Sequence, residues 1–600
     1  MTRIRIEFAR PRHILHGVLL LLGLVVINAP AQAQDAPAEP AWTWDTSDPR
    51  IGLKAGVTDA GVAGSNVRLL ASLPRPEGFN STERGSGNVS NTDLAFTGDL
   101  VFVGNYRGFN VYDIAEPGNP QHRLSIVCPG GQGDVSIHGN LLFMSVEETR
   151  GRIDCGIQGI PGDVSSERLR GVRIFDFSDL DNPRQVAAVQ TCRGSHTHSL
   201  VSDPNDDNII YVYVSGTGPA RSGDEMAGCS GADPDEDPNT AYFRIDVIRV
   251  PLDAPHEAAI VSNPRIFADE SGNIAGLWPG GDHGAGTQRT SITNQCHDIT
   301  AYPQIGLAGG ACSGNGILLD ISNTAQPVRI DEVTDPNFAY WHSATFNNDG
   351  TKVIFTDEWG GGAAPRCRES DLPTWGANAL FNVVDGKLVR AGYYKLPVPQ
   401  TSTENCVAHN GSLIPVPGRD IMVQAWYQGG MSIFDFTDPH NPFEIAYFDR
   451  GPISDTQSVL GGYWSTYWYN GYIYGAEIVR GLDVFELTPS EHLSQNEIDA
   501  AMAVRYETFN PQNQPRMEWQ ASVTVAGAYR DQLVRAGALT PAATTALDAA
   551  LSGTGAAPLQ AAASSLEAEA LAAVARGQLT QINKVRALLA DTLRELAAGR

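Results

Sequence analysis

Four of the 13 histidines stand at the same place in a sequence pattern that repeats along the chain. Each begins a short segment in which apolar and polar residues alternate, and the four are His198, His297, His342 and His409. Imidazole nitrogens are ligands that copper, zinc, iron and nickel accept. If these segments are neighbouring strands around one axis, the four side chains face a common centre. The pattern therefore predicts a transition-metal site, with Cu or Zn as the ion.

Three further polar residues are candidates for the same site. Asp93 and Asp134 begin the two segments that precede the histidine-bearing ones, and His196 lies two residues before His198. We expect them either to complete the ligand set or to orient the ligands. The competing interpretation is that all of these residues cap strands by bonding to adjacent backbone, a role that Asp at an equivalent position also fits. Four histidines in register favour the metal.

Carboxylates and tryptophans follow a neighbouring set of segments. These segments should end near the point where the histidine-bearing ones begin, and the polar residues there are Asn105, Glu147, Glu358 and Glu477. Glu358 and Glu477 are the candidate catalytic groups, as general bases beside a bound cation, and solvated loop charges are the alternative. The tryptophans of this region predict either the wall of a substrate pocket or packing between sheets; they are Trp341, Trp359, Trp426 and Trp464.

The repeated unit predicts β-structure. An alternating segment ends in Asp or a substitute for it, and a turn with Asn-Pro or Gln-Pro follows. The clear copies end at Asp113, Asp176, Asp320 and Asp435, and degenerate copies occur at residues 247–250, 380–383 and 484–487. Two more alternating segments precede each copy and most copies are followed by another, with tight turns such as Gly98-Asp99 between them. Four strands in each of seven units predict an all-β fold, a seven-bladed β-propeller.

In the clear units Asp is followed by Ile or Phe and, a few residues later, by Asn-Pro or Gln-Pro. These units resemble the LVIVD repeat of exported and cell-surface bacterial proteins over about residues 66–487. The resemblance implies a propeller and no general activity. The last unit lacks its fourth strand, and the segment around Leu69 has the pattern of one. We therefore expect a ring that is closed by an N-terminal strand, which leaves no unpaired sheet edge.

The chain divides into four predicted regions. Residues 1–33 have the basic head, the apolar run and the Ala31-Gln32-Ala33 cleavage pattern of a signal peptide. Residues 34–65 form an Ala/Pro-rich linker, residues 66–490 the propeller, and residues 491–600 a small α-helical C-terminal region with Ala and Leu at helical spacing. The mature protein is predicted to be periplasmic or secreted and to lack a transmembrane segment.

Eight cysteines agree with an oxidising compartment. Each precedes a first segment or follows a second one, so neighbour pairing would staple the loops at one end of the ring: Cys128 with Cys155, Cys192 with Cys229, Cys296 with Cys312, and Cys367 with Cys406. Sequence alone leaves this connectivity open. Ligation of a soft metal by Cys296 is the alternative role for that residue.

The net charge of -26 argues against nucleic acid as a partner, because phosphate binding needs a basic surface. Two acidic loops are candidates for Ca²⁺ binding, although neither has the spacing of an EF-hand and solvated loops are the alternative. The loop residues are Asp203, Asp206 and Asp207, and Asp233, Asp235, Glu236 and Asp237.

Three functions compete at this stage. The first is a metal-dependent oxidoreductase that acts on a small-molecule substrate and uses the histidines as ligands. Its histidine-lined channel is similar to that of the methanethiol oxidase/selenium-binding protein family in broad plan only. A non-catalytic propeller that binds or scaffolds a surface protein or glycan is the second hypothesis. The third, a lactonase or phosphatase with calcium in the channel, requires more carboxylate and Asn than His at the ring.

Overall fold

A computed structural model describes residues 43–80, 89–578 and 580–600 of the chain. The predicted signal peptide and residues 34–42 of the predicted linker lie outside these residues. Within them, no helix combines the length and the apolar character that crossing a bilayer requires. Strands predominate up to residue 487, and helices predominate after it.

The first two strands stand apart from the repeats in sequence: β1 (Val62–Ser65) and β2 (Val67–Leu73). Three groups of four follow, each an antiparallel sheet in chain order: β3 (Asn91–Thr97), β4 (Leu100–Asn105), β5 (Gly108–Asp113) and β6 (Gln121–Val127); β7 (Val135–His138), β8 (Leu141–Val146), β9 (Gly171–Asp176) and β10 (Arg184–Gln190); β11 (His198–Ser202), β12 (Ile209–Val214), β13 (Asp246–Pro251) and β14 (Ala259–Ser262).

A two-stranded insert, β15 (Gly281–Asp282) and β16 (Arg289–Thr290), precedes the later groups. These have the same meander: β17 (Asp298–Tyr302), β18 (Leu307–Cys312), β19 (Asn315–Asp320) and β20 (Val328–Val333); β21 (Trp341–Phe346), β22 (Lys352–Asp357), β23 (Asn378–Val384) and β24 (Lys387–Tyr394); β25 (Asn410–Ile414), β26 (Ile421–Ala425), β27 (Met431–Asp435) and β28 (Phe443–Arg450); β29 (Tyr463–Tyr469), β30 (Tyr472–Glu477) and β31 (Gly481–Leu487).

The first strands of successive groups form a closed circuit. β3 contacts β7, and the contacts continue through β11, β17, β21 and β25 to β29, which returns to β3. Between β25 and β29 the contact is a short parallel pairing, Asn410 opposite Ser465. Antiparallel sheets radiating from a ring of first strands are the architecture of a β-propeller.

N-terminal strands complete two of the sheets. β2 pairs antiparallel with β31, from Val67 opposite Leu487 to Leu73 opposite Leu482, and β1 pairs with β28. The expected pairing of the segment around Leu69 with the last repeat is therefore present. It covers the edge that the missing fourth strand would otherwise leave unpaired.

Apolar side chains fill the spaces between adjacent sheets. Between the last group and the first, Phe96 packs against Tyr469 and Tyr474 with ring centroids 4.6 and 5.3 Å apart. Such interfaces recur around the ring. Because each sheet buries both faces only against its neighbours, the ring is held together by hydrophobic burial between sheets.

Beyond β31 the chain forms helices and one short strand: α1 (Gln495–Met502), β32 (Thr508–Phe509), α2 (Val523–Arg535), α3 (Pro541–Ser552), α4 (Ala556–Ala575) and α5 (Gln581–Ala598). A capping box formed by Ser494 and Glu497 starts α1. The buried Glu497 also accepts hydrogen bonds from Arg419, in the β25–β26 loop, and from Arg535 in α2. These ion pairs link α1 and α2 to the sheet of β25–β28.

The first strands enclose a central channel. Residues 507–517, which we call the stopper segment, cross these strands at one end of it. β32 pairs with β3. Asn510 bonds to both backbone groups of Ile137 in β7, and Gln514 does the same with Phe346 in β21. The segment therefore ties together strands from separate sheets, through amide side chains that supply one donor and one acceptor each.

Four disulfides are present: Cys128–Cys155, Cys192–Cys229, Cys296–Cys312 and Cys367–Cys406. The predicted pairing is confirmed, and Cys296 is consequently not a metal ligand. Four disulfides are typical of an oxidising compartment outside the cytosol.

Candidate metal centre

A cavity of about 500 Å³ opens at one end of the ring of first strands. Its wall comes from loops that enter the first strands and from loops that leave the second strands. Polar groups from both kinds of loop reach it, and four large aromatic residues frame it: Tyr106, Tyr340, Trp359 and Trp464. Of the four tryptophans assigned to this region, Trp341 and Trp426 are instead fully buried between sheets.

Three of the predicted ligands lie in a row, with His342 between His297 and His409. The ring centroids of His297 and His342 are 3.8 Å apart, and those of His342 and His409 are 4.3 Å apart. Both His342 and His409 are entirely buried. Consecutive first strands place these imidazoles side by side, as the repeat register predicted.

His196 joins this group from the loop before β11. Its Nε2 lies 2.8 Å from Nε2 of His297, and its Nδ1 lies 2.5 Å from a carboxylate oxygen of Glu147. Glu147 raises the pKa of His196, although burial acts to lower it. The two Nε2 atoms are within hydrogen-bond distance, so in this arrangement one of them donates and the other accepts.

Glu358 is the carboxylate of the cluster. Its two oxygens lie 3.5 Å from Nε2 of His409 and 3.7 Å from Nε2 of His342, and the Tyr427 hydroxyl donates to it at 2.5 Å. Burial acts to raise the pKa of Glu358, but interaction with His409 and the other neighbours outweighs it and lowers the pKa. Glu358 is therefore an ionised acceptor beside the imidazoles.

Hydrogen bonds fix how most of the rings are turned. Nδ1 of His297 lies 3.0 Å from Asp298, and Nδ1 of His409 contacts the backbone carbonyl of Trp464. These partners leave Nε2 directed away from the backbone, which is the usual arrangement for metal-binding histidines. Nε2 of His409 and both ring nitrogens of His342 have no hydrogen-bond partner among the described residues.

His342 is held in its neutral form. Its pKa lies well below 6.5 because of burial and, after that, because of the positive charge on neighbouring histidines. A neutral imidazole has a free lone pair. His297, Asp298 and His342 form one group of ligand atoms close enough to hold one ion, and His342, Glu358 and His409 form another.

His198 has different neighbours. Its Nδ1 lies 2.8 Å from Oγ of Ser145 and 3.1 Å from a carboxylate oxygen of Asp134. The carboxylate of Asp134 also accepts a hydrogen bond from the backbone N–H of His198. Asp93 accepts from Tyr467 and two other side chains. The structure thus groups His196, rather than His198, with the three other histidines.

Glu477 is buried in a turn. It accepts the backbone N–H groups of Gly462 and Val479, and Arg480 lies 3.2 Å away. These contacts order the loop between β30 and β31. The side-chain amide of Asn105 similarly donates a hydrogen bond to the backbone carbonyl of Val89.

The two acidic loops form local turns. Asp203 and Asp206 each accept a backbone N–H two residues further on, and so does Asp237. Such Asx turns stabilise a solvated loop without a cation.

The sequence analysis identified neither Tyr427, which donates to Glu358, nor Arg289, which lines the cavity. Tyr427 follows β26 at the place where Glu358 follows β22, so the register of second strands is the signal that could have found it.

No protein-family model matches the chain, and a search of curated proteins finds no relative. Solved structures with similar architecture include a periplasmic gluconolactonase from Pseudomonas aeruginosa, 12% identical over 66% of this chain and 97% of that one with a TM-score of 0.40. A putative 6-phosphogluconolactonase from Bacteroides uniformis is 11% identical over 64% and 89%, with a TM-score of 0.37. The RRP9 WD40 repeats are 9% identical over 72% and 99%, with a TM-score of 0.39. At this level of similarity no activity transfers, and the propeller assignment rests on strand pairing.

Proposed function

We propose that this chain is an exported, seven-bladed β-propeller of the LVIVD-repeat kind that binds one transition-metal ion at the floor of its cavity. The proposed domains are a signal peptide at residues 1–33, a linker at 34–65 whose last four residues form β1, the propeller at 66–490 and the helical region at 491–600. The proposed ligands are His196, His297, His342, His409 and Glu358. The function is an oxidoreductase acting on a small molecule in the cavity.

One observation carries most of this proposal. Nε2 of His342 and Nε2 of His409 are buried, lie within 4 Å of the same carboxylate and have no hydrogen-bond partner within residues 43–80, 89–578 and 580–600. Leaving a buried polar atom without a partner costs about 1–3 kcal/mol, so native structures rarely keep several together. A cation bound by these atoms and by Glu358 removes the cost. The donor set therefore fits a metal.

The identity of the ligands narrows the choice of metal. Imidazole with a carboxylate suits Cu, Zn, Fe and Ni and is a poor set for Mg²⁺ or Ca²⁺. A redox-active ion of this group would supply one-electron chemistry. Residues of the chain keep the ligands in place: Glu147 orients His196, Asp298 orients His297, and Tyr427 holds Glu358.

The cavity itself supports a small organic substrate. Tyr340, Trp359 and Trp464 offer flat apolar surface, and Arg289 provides a positive charge in an acidic protein. A substrate placed there lies against His196, His297 and Glu358, which also line the cavity.

The test is elemental analysis of mature protein purified without a histidine tag. We expect about one equivalent of transition metal in the wild type and its loss in the His297→Ala/His342→Ala double variant. The matched control is His122→Ala/His440→Ala, which removes two exposed histidines and should keep the metal.

Single variants then separate the two neighbouring histidines. His196→Ala should lower metal affinity at least tenfold, whereas His198→Ala should leave it within twofold. Folded wild-type protein that takes up no transition metal would contradict the proposal and favour a non-catalytic propeller that binds a surface protein or glycan.

A further inference from the structure

The channel contains a second cluster of buried polar groups, on first strands that carry none of the proposed transition-metal ligands. Asp93 in β3 and Asp134 just before β7 belong to adjacent sheets whose first strands are in contact. Gln512, from the stopper segment, reaches Asp93. The three side chains are 2%, 1% and 3% exposed.

The partners of Asp93 carry no charge. Its Oδ1 accepts hydrogen bonds from Ser465 Oγ at 2.7 Å, from the Tyr467 hydroxyl at 2.6 Å and from the Leu94 N–H at 2.9 Å. Its Oδ2 accepts from Nε2 of Gln512 at 2.9 Å. Among the described residues, no lysine or arginine side chain bonds to this carboxylate.

Asp134 is only partly satisfied. Its Oδ2 accepts the His198 N–H at 3.0 Å and lies 3.1 Å from Nδ1 of the same histidine. Its Oδ1 is buried and has no partner among the residues that the structure describes, and the same holds for Nε2 of His198.

Oε1 of Gln512 is a further buried oxygen for which the described part of the chain provides no hydrogen-bond partner. It belongs to the same amide group whose nitrogen donates a hydrogen bond to Asp93. Gln512 and Asp134 are therefore both neighbours of Asp93, the first through this hydrogen bond and the second through the effect of its charge. Acceptors that lack donors require a proton donor or a cation, and a single proton satisfies only one of them.

Electrostatics favour the cation. Burial of two carboxylates away from water is unfavourable unless a positive charge compensates. Burial, followed by the charge of Asp134, raises the pKa of Asp93 to about 7. A divalent cation would neutralise both groups at once.

We propose that Asp93, Asp134 and Gln512 bind a hard divalent cation of the Ca²⁺ class inside the channel. Oxygen ligands select Ca²⁺ over the metals that prefer imidazole. The cation would link the first two sheets to the stopper segment. This site goes beyond the proposed function and does not depend on it, because it uses other residues and another class of metal.

The experiment uses mature protein stripped with a chelator and titrated with Tb³⁺, whose luminescence the neighbouring Tyr467 can sensitise. We expect one saturable site from which Ca²⁺ displaces Tb³⁺. Asp93→Asn and Asp134→Asn should each weaken Tb³⁺ binding at least tenfold. Gln512→Met, which removes an oxygen and adds no charge, should also weaken it. In addition, Ca²⁺ should raise the Tm of the wild type and leave that of Asp93→Asn unchanged.

Two controls separate this site from others. Asp206→Asn/Asp235→Asn removes exposed acidic-loop charges and should leave Tb³⁺ affinity within twofold. His297→Ala/His342→Ala should lose the transition metal yet keep the Tb³⁺ site. Absence of a saturable site, or affinities that Asp93→Asn and Asp134→Asn leave unchanged, would overturn the proposal. If either variant fails to fold, the Gln512→Met titration and the Ca²⁺ dependence of the wild-type Tm decide.

Discussion

Lys395 is a buried cation outside the candidate metal centre. Its Nζ donates to the backbone carbonyls of Arg366, Trp375 and Gly376 at 2.8, 2.6 and 3.1 Å. Burial lowers its pKa to about 7, although the nearby Asp357 and Asp371 act to raise it. In the unfolded chain a lysine ordinarily has a pKa of about 10.4.

This difference predicts a pH dependence of stability. Between pH 7 and about 10.4 the unfolded chain binds a proton that the folded chain does not, so the free energy of unfolding rises with pH, by up to about 1.4 kcal/mol per pH unit. Lys395→Met removes this contribution. Urea unfolding at pH 7.5, 8.5 and 9.5 should show the wild type gaining stability relative to Lys395→Met at each step.

Lys387→Met is the control for this measurement. Lys387 is exposed and pairs with Asp331, which raises its pKa, so its removal should produce no such gain over the same range. A stability difference between wild type and Lys395→Met that stays constant with pH would show that Lys395 titrates normally.

At the scale of single residues, the sequence predicted His198 as a ligand together with His297, His342 and His409, and the structure groups His196 with those three instead. His297, His342 and His409 come together because equivalent strand positions become neighbours in a ring. His196 replaces His198 in this group because the chain bends before β11, and the alternation of a strand does not extend into a bend. Side-chain direction there depends on tertiary contacts such as Glu147, which sequence spacing does not encode.

The stopper segment is an element with no counterpart in the repeats. Asn510 satisfies the N–H and C=O of Ile137, both at 2.7 Å, and Gln514 satisfies those of Phe346 at 3.0 and 2.8 Å. Trp519 donates to the carbonyl of Pro415 just beyond the segment. A short stretch of chain thereby holds the ends of strands from several sheets.

Substituting these amides should destabilise the propeller. Asn510→Ala and Gln514→Ala each leave a buried N–H and a buried C=O unpaired, which costs about 1–3 kcal/mol per site. Chemical denaturation measures this loss, and amide hydrogen exchange at Ile137 and Phe346 should become faster.

Gln560→Ala, on an exposed position of α4, is the matched control and should change stability by less than about 0.5 kcal/mol. Unchanged exchange at Ile137 in Asn510→Ala would mean that the stopper segment contributes no stability there.

Strands and stopper differ in how far the sequence predicts them. Alternation and Asn-Pro turns mark the strands locally, because burial on a pleated sheet has a period of two residues. In the stopper segment Asn510, Gln512 and Gln514 also recur every two residues, but each of them bonds to a different sheet, so their spacing does not mark a strand of one sheet. Their role follows from the closed ring, which local patterns do not describe.

For the molecule as a whole, stability depends on closure of the ring. Strands β1 and β2 come from the N-terminal side and pair with β28 and β31, from the last two groups. Val67 and Leu69 also pack against the apolar core between these sheets. The pairing joins segments roughly 400 residues apart, so it adds contacts that no single repeat can supply.

Removing these strands should open the ring. A chain that starts at residue 74 exposes the unpaired edges of β28 and β31 and part of the apolar core, and exposed edges promote association between molecules. We expect a Tm lowered by several degrees, together with oligomers detectable by light scattering. A synthetic peptide of residues 62–74 should restore the Tm in a concentration-dependent way, because strand addition recovers both backbone pairing and side-chain burial. A peptide of the same composition in scrambled order should not, since its apolar residues no longer match the sheet faces. A truncated chain that keeps the wild-type Tm without peptide would show that the ring is held by its remaining interfaces alone.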